Sequence, residues 1–321
     1  MKGIWLENQK IELKLNIPQP EISQGETLIK VLRGGICNTD LELIKGYYPY
    51  KGILGHEFVG VVEKGNKELI GKRVVGEINA SCGKCYYCEN NMKTHCENRT
   101  VLGIVNRPGA FAEYVTLPEE NLHIVPENIS TDLATFVEPI AAALEIQQQV
   151  KINKNHRVLV VGDGKLGQII AQTLALTDCD LLVVGKHEDK LNNLKERGIK
   201  TTILKDELRE KRSFDIAVDC TGNEQGFGLA LSGLRARGIL VLKSTYSGRL
   251  NIDASAIVVD EITVIGSRCG PFNLALEVLE KGQIDVSYLI QGRYNLDEGI
   301  TAFNHAQKKG VLKILLDMEN N

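Results

Sequence analysis

The chain has 321 residues, 43% of them hydrophobic, and 38 lysines and arginines against 41 aspartates and glutamates give a formal charge of −3. That length accommodates two domains with real cores, and the faintly acidic balance argues against a nucleic-acid-binding surface, which needs a basic excess. No window nears the ~20 apolar residues that span a bilayer. The opening MKGIWLENQK turns polar at once, unlike a secretory signal, so the expected compartment is the cytoplasm with no membrane partner.

In chain order, the first third reads as short β-branched strands between glycine turns, at residues 26–32, 57–62, 73–78 and 110–117. Into this β-rich stretch falls Cys82-x2-Cys85-x2-Cys88-x7-Cys96. Four thiolates on one tight loop suit a tetrahedral Zn²⁺ with every position filled by protein, a site that braces a loop and leaves no room for substrate. Disulfides or unpaired core cysteines are the alternatives, and a reducing compartment favours the metal.

From Ser130 the pattern becomes helical, with Ser130 as N-cap, Asp132 in the first turn and an apolar stripe through Leu133, Phe136, Val137 and Ile140. Pro139 breaks into that stripe, so a kink or interruption is expected at Glu138. Beyond His156, apolar strands at 158–161, 181–184, 202–204, 215–218, 239–242 and 263–265 alternate with helical stretches such as 166–176 and 188–196. Unbroken apolar strands separated by helices imply a parallel sheet covered on both faces. The charged run 205–212 reads as a solvated face. The tail from Phe272 carries two helical stretches and a last strand at 312–316.

The first strand of the alternating region runs into Gly162-Asp163-Gly164-Lys165-Leu166-Gly167. A glycine fingerprint between strand and helix allows a tight turn, a close approach of backbone to a pyrophosphate, and close helix–strand packing. Helix amides and their partial positive charge then face the phosphates. The next strand ends at Gly185-Lys186-His187, where sites for NAD usually carry an acid that binds the ribose 2′-hydroxyl. Without that acid, Lys186 and His187 are placed to bind a 2′-phosphate, so NADP(H) is favoured over NAD(H). The plainer alternative is that both side chains merely open a helix at the surface.

Several motifs together resemble the zinc-dependent medium-chain dehydrogenases, which act on alcohols, polyols, glucose and threonine. They are Gly35-Ile36-Cys37-Asn38-Thr39-Asp40, Gly55-His56-Glu57, the cysteine quartet, Ala110-Phe111-Ala112-Glu113-Tyr114, Val137-Glu138-Pro139 and the glycine fingerprint. The resemblance spans almost the whole chain and implies an α/β protein: a GroES-like β-rich catalytic domain (1–138) with a structural-zinc lobe (80–100), a doubly wound Rossmann domain (139–266), and a return segment (267–321). It further implies a catalytic zinc held by Cys37, His56 and a ligand at the Glu138 position, with Glu57 beside it as supporting or exchanging carboxylate. Glu138 stands where the classical alcohol enzymes have cysteine, a departure that resembles the polyol, glucose and threonine branch.

By the same resemblance Thr39 relays the proton of the substrate alcohol and Asp40 hydrogen-bonds the zinc-binding histidine. Thr39, two residues past Cys37, is expected on the same side of an extended stretch. Lys165, Leu166 and Thr221 join the glycines and residues 185–187 in holding the cofactor. The implied activity is reversible hydride transfer between a polyol or sugar alcohol and NAD(P), with NADPH-dependent carbonyl reduction and an idle nucleotide-binding redox sensor as rivals. Tyr47, Tyr48, Tyr50, Arg107 and Arg268 fall in loops that wall the pocket in such enzymes and hint at a polar or anionic substrate. A homodimer or homotetramer built along 257–265 is expected. His95, His123, His156 and His305 are read as ordinary structural histidines.

Overall fold

A computed structural model describes residues 1–204, 211–245, 250–252 and 254–319. The chain divides into two compact units, Met1–Glu138 with Ala275–Asn321, and Pro139–Leu274. The return to the first unit thus comes at Ala275, a few residues later than the 267 expected from sequence. Most of the charged run 205–212 lies outside the described residues.

The first unit is β-rich. Its main sheet has seven strands, with Glu26–Gly35 at the centre. That strand pairs antiparallel with Glu57–Lys64, Tyr114–Pro118 and Lys313–Asp317, and Ile290–Asn295 lies parallel to the last of these. Ile29, Val31, Phe58, Val59, Val62, Leu315 and Leu316 bury their side chains here, each stabilising the fold by ~1.5–3 kcal/mol relative to exposure. A smaller sheet of Asn79–Ala80, Thr100–Leu102 and Asn106–Arg107 carries the cysteine lobe between its first two strands.

Three expectations need correction in this unit. The strand expected at 73–78 ends at Gly76, and a separate strand, Asn79–Ala80, follows in a different sheet. The strand at 110–117 begins only at Tyr114. Ala110 and Phe111 instead donate backbone hydrogen bonds to Gly55 (2.9 Å) and Leu54 (2.8 Å), which anchors the turn before His56. The helix interruption falls at Thr135–Phe136, between Thr131–Ala134 and Val137–Gln149. Ser130 caps the first of these, its Oγ accepting from Leu133 N at 3.3 Å. Pro139 lies in the first turn of the second, where its missing N–H has no intrahelical partner to lose, so Glu138 is itself helical.

The second unit is built on six parallel strands in the order Lys200–Ile203, Asp180–Gly185, Arg157–Val161, Phe214–Asp219, Leu234–Leu242, Thr263–Gly266. Strand order reverses beside Arg157–Val161, so the crevice at the carboxyl ends of the strands opens there, where doubly wound sheets bind ligands. Leu159, Val161, Phe214, Ala217, Phe227 and Leu240 form one core cluster. Among the described residues, no helix is long and apolar enough to cross a membrane.

Candidate active site

Two groups of metal-capable side chains stand out among the described residues, and both lie in the first unit. In the lobe, the sulfurs of Cys82, Cys85, Cys88 and Cys96 all lie within 4.8 Å of one another, and none of the eight cysteines is in a disulfide. Cys85 Sγ and Cys88 Sγ are 3.5 Å apart, far beyond the ~2.05 Å of a disulfide and near the ~3.8 Å between sulfurs on a tetrahedral zinc. Backbone amides already favour thiolates: the Lys84 amide, with help from Cys96 and Asn98, brings the Cys82 thiol down to about 6. Burial pushes Cys96 up to about 11, so a cation is what would let all four sulfurs ionise together. The quartet fits a structural zinc.

The second group joins Cys37, His56 and Glu57, whose ligand atoms also lie within 4.8 Å of one another. Cys37 is not in an extended stretch with Thr39: it is the N-cap of the helix Asn38–Ile44, with Thr39 in the first turn. The Asp40 carboxylate folds back to accept the Cys37 amide at 2.8 Å, so the acid that shapes the helix start also faces the metal-capable histidine. Thr39 Oγ1 lies 3.8 Å from Cys37 Sγ. Helical winding brings the two side chains together where strand alternation had been expected to.

Asp40 is fully buried, and its Oδ1 stands 3.3 Å from His56 Nδ1. Among the described residues, neither atom completes a hydrogen bond of good geometry. Burial pushes the His56 pKa down, but Asp40 and then Cys37 more than offset it and raise it, which favours a proton on the nitrogen that faces Asp40. With Nδ1 turned to Asp40, Nε2 is the nitrogen available as a ligand. Thiolate, imidazole and carboxylate are the donors zinc takes when one position stays open for substrate. The residues present fit such a metal.

Glu57 has a partner that the motifs do not reveal. Lys313, in the strand Lys313–Asp317, donates its ammonium to Glu57 Oε2, and both side chains are 1% exposed. Burial pushes the lysine's pKa down, yet Glu57, Cys37 and Glu138 outweigh it and keep the ammonium charged. Phe136 offers its ring 5.4 Å from the same nitrogen. Gly35 makes the room, since a Cβ there would lie 2.6 Å from Glu57 Oε2. Glu138 is half-buried and near enough to act on Lys313, but it is not in the group with Cys37 and His56. The sequence signal for Lys313 is a single charge inside the apolar run Val311–Leu316.

Of the pocket-wall candidates, Tyr47 and Tyr48 are exposed. Tyr50 and Arg107 are structural. The tyrosine hydroxyl is shared between the carbonyls of Ile53 (2.7 Å) and Arg107 (3.0 Å), and the guanidinium binds Glu26, Thr100 and the Thr116 carbonyl. Arg268 lies in the second unit, with Nη1 3.4 Å from Cys269 Sγ.

In the second unit the glycine fingerprint has the form its spacing implies. Gly162 has φ 122°, and a Cβ on Gly167 would lie 2.1 Å from the Gly162 carbonyl oxygen. Gly164 caps the helix Lys165–Ala175 with open space around it. This bare backbone cradle fits a pyrophosphate. Lys165 and Leu166 sit half-buried in the first turn. Thr221 donates its hydroxyl to Asp219 Oδ1 at 2.7 Å, and its methyl faces Gly162. Lys186 is exposed, 3.3 Å from Gln225 Oε1, and borders an open pocket of about 820 Å³ that Asn223, Phe227, Leu231 and Ile252 also line. His187 is half-buried against Asp163.

Residues 23–127 match the alcohol dehydrogenase GroES-like domain family and residues 166–281 the zinc-binding dehydrogenase family. A sorbitol dehydrogenase of Halalkalibacterium halodurans is 30% identical, with 93% of each chain covered. An L-threonine 3-dehydrogenase of Streptomyces avermitilis is 29% identical over 98% of this chain and 96% of its own. A solved structure of a zinc-binding dehydrogenase from Sinorhizobium meliloti 1021, bound to NADP, superposes with a TM-score of 0.88 at 26% identity, covering 98% of both chains.

Proposed function

This chain belongs to the zinc-containing medium-chain alcohol dehydrogenase superfamily, and from that membership we propose that it oxidises a polyol or sugar alcohol reversibly, with NADP(H) preferred over NAD(H). Its class is a zinc-dependent, NAD(P)-linked oxidoreductase acting on alcohols. The observation that carries the catalytic reading is the meeting of Cys37, His56 and Glu57, with Thr39 beside the cysteine. These three would hold the zinc, Glu57 as carboxylate ligand and Glu138 able to exchange with it. When bound, the metal supplies the Lewis acidity that lets an alcohol lose its proton near neutral pH.

The remaining work falls to the chain. Thr39 accepts the alcohol proton and passes it outward. Asp40 fixes the His56 ring, and Lys313 balances the charge of Glu57 so that a buried carboxylate persists beside the site. The fingerprint cradle and Thr221 hold the dinucleotide, with its adenosine half toward Lys186 and the pocket it borders. Gly185, Lys186 and His187 support a 2′-phosphate, and a relative solved with NADP agrees with that choice. The sorbitol dehydrogenase relative supports a polyol substrate.

Zinc analysis and a panel of alcohols and carbonyls with both cofactors test the proposal. Two zinc ions per chain and turnover of polyols are expected, whereas an NAD(H) preference of about tenfold or more in kcat/KM would overturn the NADP reading. We further place the enzyme in the cytoplasm, where its eight cysteines, none of them in a disulfide, stay reduced. It self-associates along the edge strand Thr263–Gly266, where Val264 and nearby Val258 and Val259 are exposed. Light scattering on the purified protein checks the oligomer.

A further inference from the structure

The case for NADP(H) rests on a missing carboxylate at position 185, yet a carboxylate stands in that space. It belongs to Asp163, in the fingerprint turn. A Cβ built on Gly185 would lie 2.4 Å from Asp163 Oδ2 and 2.6 Å from Asp163 Cβ. Asp163 Oδ2 accepts the amides of Lys186 at 2.6 Å and His187 at 2.7 Å. The His187 ring Nδ1 lies 3.0 Å from Oδ1 and 3.1 Å from Oδ2. Asp163 is only 7% exposed. Burial pushes its carboxyl up, but the bonds from the His187 ring and from the two amides more than offset this and keep it ionised. Oδ2 is fully occupied by these bonds. Among the described residues, Oδ1 has only the shared ring contact, which leaves it acceptor capacity toward a ribose hydroxyl.

We propose that Asp163 is the specificity-determining acid of the dinucleotide site, a carboxylate moved from the end of the strand Asp180–Gly185 into the fingerprint turn, where it opposes a 2′-phosphate and accepts a 2′-hydroxyl. The inference rests on the nucleotide-binding reading above, not on its NADP(H) preference, against which Asp163 pulls. Glycine at 185 and aspartate at 163 are then one feature, because no side chain at 185 fits while Asp163 holds this position. Lys186, exposed, and His187, tied to Asp163, set the opposite pull, so selectivity for the 2′ substituent is a contest among three adjacent side chains. A fixed anion a few ångströms from a phosphate, partly shielded from water, repels it more strongly than it would in bulk solvent.

Calorimetric titration of the full-length enzyme with 2′,5′-ADP and with 5′-AMP, half-cofactors that carry and lack the 2′-phosphate, tests this without any turnover. Asp163→Asn keeps the shape and one acceptor for the strand-end amides. It is expected to raise the ratio of 2′,5′-ADP to 5′-AMP affinity by about tenfold. The paired variant Asp163→Gly with Gly185→Asp, which removes the Asp163 Cβ that would lie 2.6 Å from the new one, returns the acid to the strand end and is expected to bring the ratio back to the wild-type value or lower. A ratio unchanged within about twofold in Asp163→Asn, or a fall in it, overturns the proposal. So does a paired variant whose ratio stays raised, which also decides the matter if Asp163→Asn does not fold. A wild-type enzyme that prefers 5′-AMP sinks the NADP preference alone and leaves Asp163 to be judged on the change between variants. Binding of neither compound sinks the nucleotide site, and this inference with it.

Discussion

The two metal-capable groups of the first unit use cysteine in opposite ways. The lobe closes four sulfurs on one another within a span of 15 residues, and backbone amides and Asn98 supply the polar contacts. The Cys37 group draws on residues that are distant in sequence, mixes donor types, and is surrounded by charge: Asp40 behind His56, Lys313 on Glu57, Glu138 close by. A local all-thiolate set is saturated and braces the loop. A mixed set assembled by tertiary packing can leave one position open and carries an electrostatic environment tuned by the fold. On the function proposed above, the same residue type marks bracing in one place and chemistry in the other.

The largest expected effect that would break this contrast comes from Cys37→Ser. Turnover should fall by about a thousandfold or more, while the melting temperature stays near the wild-type value and zinc content drops by one ion per chain. Cys85→Ser should do the reverse in kind. Loss of the lobe metal is expected to destabilise by about 4 kcal/mol or more and lower Tm by roughly 10 °C, seen by calorimetry and by protease cleavage within the lobe. If Cys85→Ser kept native melting and lost activity, the two roles would be reversed.

Lys313→Met sharpens the contrast from the other side, because it strands a buried carboxylate. A destabilisation of ~3–5 kcal/mol is expected in chemical denaturation, with most of it recovered in the double variant Lys313→Met with Glu57→Gln. The smallest effect is that of Asp40→Asn, which should weaken zinc at the Cys37 group by roughly 10–100-fold in a competitive chelator titration and leave the lobe metal unmoved.

What the chain reveals in one dimension follows the same division. The quartet and the glycine fingerprint are contiguous, so their spacing carries their chemistry, and the alternating apolar strands of the second unit are readable because parallel strands are buried on both faces. Cys37 and Thr39 are neighbours through a helix start and not through an extended stretch, since Cys-Asn-Thr-Asp suits either and the cap contact with Asp40 decides between the two. The strand Ile290–Asn295 is not evident, because its exposure alternates with polar residues such as Gln291 and Arg293 and leaves no apolar run. Lys313 and Asp163 escape for a common reason: each matters through a partner that only tertiary structure supplies. A lysine in an apolar strand and an aspartate between two glycines are both visible in sequence, but their targets, Glu57 and the backbone beyond Gly185, are not.

The pairing of Lys313 with Glu57 also orders events in time. The two residues are 256 positions apart, and the whole of Pro139–Leu274 is made between them. At ~5–20 residues per second, a ribosome emits the lysine roughly 13–50 s after the glutamate. Throughout that interval the central strand Glu26–Gly35 lacks its neighbour Lys313–Asp317, and Glu57 has no cation to meet. The nucleotide-binding unit can therefore fold on the nascent chain before the first unit closes, and the surroundings of the Cys37 group are completed by residues synthesised after that unit.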